Sequence, residues 1–154
     1  MVTIIEFEEK YSPEFRALNM EWLQTYHLLE SHDVEVLDDP IGTILQRGGY
    51  IFLAQEDGQV VGTSALMNEQ DGLYELAKMT VASAYRGKGI SRLLIEKCLE
   101  KAREIGAKKL LLWSNSQLQT AIHLYTSYGF KHVEVTGSPF VTADVKMELL
   151  LNPD

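Results

Sequence analysis

Apolar positions along the chain fall into short β-rich runs and longer helical stripes. Val2 to Phe7 is β-branched and aromatic, which predicts a strand. Ser12-Pro13-Glu14 supplies a helix cap followed by proline at the first helical position. Phe15, Leu18, Trp22, Tyr26 and Leu29 then recur at three- and four-residue spacing, which predicts a helix reaching about Glu30. Pro40 opens a second, short helix through Ile41, Ile44 and Leu45 that Gly48-Gly49 stops. Tyr50 to Gln55, Gln59 to Met67 and Leu73 to Val81 read as an antiparallel meander turning at Glu56-Asp57-Gly58 and Gln70-Asp71-Gly72. A helix follows with a buried stripe of Ile90, Leu93, Leu94, Cys98, Ala102 and Ile105, ended by Gly106. Lys109 to Trp113 is a strand and Gln117 to Tyr128 a helix ended by Gly129. Phe130 to Val135 and Val141 to Leu151 form a last strand pair, made irregular by Pro139 and Asp144. This order predicts a mixed α/β class, and without repeats or linkers residues 1–154 are expected to form one domain.

Composition narrows the function classes. The chain has 154 residues, 45% apolar and 23% charged, as in ordinary globular domains. A formal charge of -8 argues against nucleic-acid binding by general attraction to phosphate. The same field attracts cationic small molecules or basic peptides, and it also simply keeps proteins soluble. A lone Cys98 excludes an internal disulfide framework, and no cysteine and histidine spacing suits zinc, so no metal is expected. The amino terminus lacks a basic-then-apolar leader and no run approaches a membrane span, which predicts a cytoplasmic protein without a membrane partner.

Gly87 and Gly89 lie between a strand and an amphipathic helix, where unhindered amides and the positive helix end can hold a phosphate. Arg86, Lys88 and Arg92 add three cations there, against the acidic balance of the whole chain. A glycine pair alone fits a plain turn as well. The loop has no G-x-x-x-x-G-K-[ST], and a dinucleotide fingerprint would need glycine where Arg92 stands.

The segment Tyr85-Arg86-Gly87-Lys88-Gly89-Ile90-Ser91 resembles the pyrophosphate loop of the GNAT superfamily of acetyl-CoA-dependent N-acetyltransferases. Arg86, Gly89 and Ser91 fill its three fixed places, with Ser91 standing where glycine or alanine is usual. Glu75 to Val81, Ala121 to Tyr125 and Gly129-Phe130 are similar to the family in the same order. The resemblance implies a mainly antiparallel central sheet, flanked by helices, with two central strands splayed to admit acetyl-CoA. It implies that Met79, Thr80 and Val81 meet the pantetheine, that Arg86 to Ser91, Ile90 included, hold the pyrophosphate, and that Asn115 touches the donor. Asn115 fits a turn or cap equally well. The Met79 amide is the position implied for the oxyanion.

Transfer requires a neutral amine, and a lysine-like amine has pKa ~10.4, so a group must take its proton. Glu75 matches the family position that supplies a general base in some members, and it reads equally as a solvated strand residue. The departing thiolate needs a proton donor. Tyr125, four residues before Gly129, matches the family's acid, and Tyr128 reads as packing.

For the acceptor, the resemblance implicates the first helices and the last strand-pair loop, here Trp22, Tyr26, Glu30, Asp33, Phe140 and Asp144. Acidic and aromatic groups would suit a cationic amine of a small molecule, amino acid or peptide, although Trp22 and Tyr26 at this spacing also read as core. Trp22, Tyr26, Leu29 and Glu30 resemble a pattern in one GNAT subgroup, but Phe140 to Met147 lacks the arginine expected there. The alternative to an enzyme is a domain that binds acyl-CoA as a sensor without turnover. A homodimer is compatible with either.

Overall fold

The computed structural model describes residues 1–151, so residues 152–154 of the expected single domain lie outside the described residues. Seven strands form one sheet in the order β1-β2-β3-β4-β5-β7-β6. They are β1 (Thr3–Glu6), β2 (Tyr50–Glu56), β3 (Gln59–Asn68), β4 (Leu73–Val81), β5 (Lys109–Ser114), β6 (Lys131–Val133) and β7 (Val145–Leu150). Every neighbouring pair is antiparallel except β4–β5, which is parallel. That pair is joined by a crossover helix, α4, as parallel strands require. The other helices are α1 (Ser12–Thr25), α2 (Ser31–Asp38), α3 (Pro40–Thr43) and α5 (Gln119–Ser127), with α4 spanning Ile90–Glu104.

Helices cover both sheet faces, which is why β2 is a nearly continuous apolar run. Ile51 and Leu53 of β2 pack with Phe15, Leu23, Val36 and Leu37 of α1 and α2. Phe52, between them in sequence, packs on the other face with Ile95, Cys98 and Leu99 of α4 and Tyr125 of α5. At the β2–β3 turn, Asp57 and Gly58 both adopt positive φ, 51° and 78°, as a tight hairpin of this hand requires.

Four details depart from the sequence expectation. The first helix ends at Thr25 rather than near Glu30, because His27 turns left-handed at φ 57° and Glu30 is extended at φ -127°. A helix that the periodicity did not suggest, α2, starts at Ser31, where the Asp33 carboxylate accepts the Glu30 amide at 2.9 Å. The stripe of α4 is Ile90, Leu94, Ile95, Cys98, Leu99 and Ala102, which leaves Leu93 42% exposed on the opposite flank. The last strand pair is also shorter than expected, and residues 134–144 form a loop. No helix among the described residues is long and apolar enough to cross a membrane.

Candidate active site

The parallel pairing of β4 with β5 is brief. Leu73, Tyr74 and Glu75 pair with Lys109, Leu110 and Leu111, and beyond Glu75 the strands diverge. A cavity of about 770 Å³ occupies the gap. Met79, Thr80 and Val81 line it from β4, Trp113 to Asn115 from the β5 end, and Tyr125 from α5. Arg86, Gly87, Gly89, Ile90, Ser91 and Arg92 close one end.

That end is built by backbone geometry. Gly87 and Gly89 have φ of 77° and 79°, and a Cβ on either would meet nothing within 4 Å, so the left-handed turn itself calls for glycine. Gly89 precedes the first residue of α4, and no side chain caps that helix. Its first-turn amides are therefore open to an anion. Ile90 anchors the helix with a side chain only 2% exposed, which leaves its amide as its contribution to the loop. Arg86 Nε donates to the Val81 carbonyl at 3.2 Å, tying the loop to the end of β4. Lys88 does not line the cavity; its Nζ lies 5.1 Å from the Tyr85 ring centroid.

At the other end β4 carries a bulge. Thr63 pairs with Thr80 and Ala65 with Ala77, so β4 has one more residue than β3 between these pairs. Lys78 sits there at φ 52°, a backbone conformation that costs a side-chain-bearing residue energy. Hydrogen bonds hold it in place: the Thr63 hydroxyl donates to the Lys78 carbonyl at 2.7 Å, and buried Asn19 Nδ2 donates to the same hydroxyl at 3.1 Å. Asn19 in turn accepts the Trp22 indole N–H at 3.0 Å. In an unbroken strand Lys78 and Glu75, three apart, would face opposite ways. With the bulge, the Lys78 ammonium instead reaches Asp33 of α2, on the face where Met67, the partner of Glu75, packs.

The ion pair between Lys78 Nζ and Asp33 Oδ1 is 2.6 Å long, with side chains 5% and 3% exposed. Glu75 is also buried, and burial pushes its carboxyl up to about 8; nearby Lys78 opposes the rise while Glu69 and Asp33 add to it. Tyr125 packs against Phe130 and lines the cavity, and its hydroxyl makes no protein hydrogen bond among the described residues. Burial, with a smaller effect from Cys98, pushes the phenol up to about 12. Tyr128 hydrogen-bonds Glu96 of α4, as a packing residue does.

The residues expected to meet an acceptor divide into two sets. Trp22, Tyr26, Asp33 and Phe140 line the cavity. Glu30 and Asp144 do not, and their carboxylates are engaged within the protein. Glu30 accepts the Val141 and Thr142 amides at 2.9 and 2.8 Å and the Thr142 hydroxyl at 2.5 Å. Although burial raises the Glu30 pKa, these hydrogen bonds together outweigh it and hold the carboxyl below its ordinary value. Asp144 accepts the Ser116 hydroxyl and amide at 2.7 and 2.8 Å, which lower its pKa. Asn115 lines the cavity but makes turn contacts, donating to the Thr142 carbonyl at 2.8 Å and accepting the Gln117 amide at 3.0 Å. Lys78 was missed from sequence; the signal was a lysine in a strand segment otherwise apolar from Leu76 to Met79.

Residues 6–130 match the model of the Acetyltransferase (GNAT) family. The chain is 42% identical over 91 residues to N-acetylaspartate synthetase of Xenopus tropicalis, a match covering 58% of this chain and 34% of that protein. It is 34% identical over 101 residues to the N-acetyltransferase YjgM of Escherichia coli K12, covering 64% of this chain and 60% of that one. The matched region thus spans less than two thirds of either relative's length. Among solved structures, a GNAT-family acetyltransferase from Staphylococcus aureus Mu50 superimposes with TM-score 0.91 at 20% identity, covering 99% of this chain and 100% of that one. PaiA N-acetyltransferase from Thermoplasma acidophilum, in complex with coenzyme A, gives 0.79 at 16% identity, covering 98% and 99%. At such identities the likeness is one of fold.

Proposed function

Because the chain belongs to the GNAT acetyltransferase family, we propose that it transfers an acetyl group from acetyl-CoA to a primary amine of a small molecule, amino acid or peptide. The observation that carries this reading is the single cavity joining the glycine loop, the diverging edge of β4 and the buried pair Glu75 and Tyr125. The donor suits the residues present. Open first-turn amides of α4 with Arg86 and Arg92 would hold the pyrophosphate, and the backbone of Met79 to Val81, unpaired with β5, would meet the pantetheine amides. The name of N-acetylaspartate synthetase adds an amino-acid amine to the acceptors worth testing.

In the proposed reaction Glu75 takes a proton from the acceptor ammonium, and the freed nitrogen bonds to the thioester carbon. The carbon–sulfur bond breaks, with its electron pair leaving on sulfur. Tyr125 donates its proton to that sulfur and is reprotonated by the second proton that the nitrogen sheds as the amide forms, and the Met79 amide faces the carbonyl oxygen. A carboxyl near 8 is a stronger base toward an ammonium than an ordinary carboxylate, but only about a tenth of it is ionised at pH 7. A phenol near 12 stays protonated across the working range, so a donor is always present. Thiol release from acetyl-CoA across an amine panel tests the proposal. Amine-dependent release is expected; no release with CoA binding intact would instead favour a sensor.

A further inference from the structure

The inner end of the cavity carries one cation and two acids, Lys78, Asp33 and Glu75, among the apolar walls of Trp22, Leu23, Leu28 and Phe140. A lysine ammonium has three N–H donors. Lys78 spends one on Asp33 and lies 5.4 Å from the Phe140 ring centroid, and no other hydrogen bond from it exists among the described residues. Two donors of a cavity-lining side chain 5% exposed are thus left for a ligand. Asp33, by contrast, already has its charge matched by Lys78 at Oδ1, while Oδ2 accepts the Glu30 amide. Glu30 and Asp144 are committed to the loop after β6 and to Ser116. A polycationic acceptor would therefore find, among the described residues that line the cavity, no carboxylate without a cationic partner except Glu75, which the reaction reserves for the proton.

Resting on the acetyltransferase reading above, we propose that the acceptor carries a carboxylate beside its amine and that Lys78 binds this carboxylate, making a free amino acid the substrate class. Such a molecule is a zwitterion with no net charge from these two groups, so the acidic surface of the chain does not repel it. Lys78 and Glu75 both line the cavity, three residues apart on β4. A carboxylate held by the first brings the adjacent amine to the second. The apolar walls then receive the amino-acid side chain.

The test uses matched acceptors on the whole chain: L-phenylalanine, phenethylamine and phenylalaninamide, with leucine and aspartate and their decarboxylated amines alongside. Thiol release gives KM and kcat for each, and calorimetry gives CoA affinity. The free acids should show KM at least tenfold below the amines and amides. Lys78→Gln should erase that preference by raising KM for the acids alone, and Lys78→Arg should keep part of it. Equal KM values for acids and amines in the wild type overturn the proposal, as does a preference surviving in Lys78→Gln with CoA affinity intact. If Lys78→Gln fails to fold because Asp33 loses its partner, the wild-type comparison decides. If none of the acceptors prompts release, the acetyltransferase reading itself is overturned, which separates that failure from failure of the carboxylate assignment.

Discussion

At the scale of single residues, burial sets the protonation of both proposed catalytic groups. Glu75 holds its proton up to about pH 8, so activity should rise with pH as the carboxyl ionises and level off above that value. In a profile of kcat/KM, which reports the free enzyme, the rising limb should fall near pH 8. Glu75→Gln should lack the limb and lose about a hundredfold in kcat, the scale of general base catalysis; an unshifted limb in this variant would remove Glu75 from the role. Tyr125 is buried among apolar neighbours with an unbonded hydroxyl, so Tyr125→Phe should preserve packing. It should lower kcat by tenfold or more while CoA affinity stays within twofold, and full activity would assign the ring to packing. These two residues were legible because Glu75 to Val81 and Ala121 to Tyr125, with Gly129-Phe130, resemble family segments in the same order. The partners of the acids were not legible: Glu30 bonds to a residue 112 positions away, Asp33 to one 45 away and Asp144 to one 28 away. No local spacing carries such contacts, so carboxylates that read as open to a ligand are bonded within the protein.

Among elements, the meander and α4 followed from period and turn residues, since these are local signals, whereas the splayed sheet was implied only by the family resemblance. The break after α1 and the start of α2 depend on a left-handed His27 and on Asp33 bonding back to Glu30. The apolar spacing continues through that break and conceals it. The start of α2 then organises the end of the cavity proposed to take the acceptor. Glu30, just before it, fixes Val141 and Thr142, and Phe140 next to them packs against His32 with ring centroids 5.0 Å apart. Asn115 ties Thr142 to the end of β5. Glu30→Gln, which exchanges an ionised acceptor for a weaker neutral one, should loosen this loop without touching the donor. Acceptor KM should rise about threefold to tenfold with CoA affinity unchanged; an equal loss of both in steady-state and calorimetric measurements would show a general folding defect instead.

Over the whole molecule, the chain must keep one sheet continuous while opening it in the middle. The bulge at Lys78 and the three-residue pairing at Leu73 to Glu75 achieve this together, with α4 and its core bracing the two parts. The sheet therefore resembles a book of two leaves, β1 to β4 and β5 to β6, bound along a very short spine. A book so bound is stiffened by what is placed between its pages. Coenzyme A should act as a removable filler strand: at a hundred times its dissociation constant it should add about 2.7 kcal/mol of stability, read as a higher Tm. Amide exchange should slow most at Met79 to Val81, on the open margin of β4. Uniform slowing over the whole sheet, or none, would show that the leaves do not part there. Slowing confined to that margin would make the unloaded protein the less finished fold, completed each cycle by the donor that fills it.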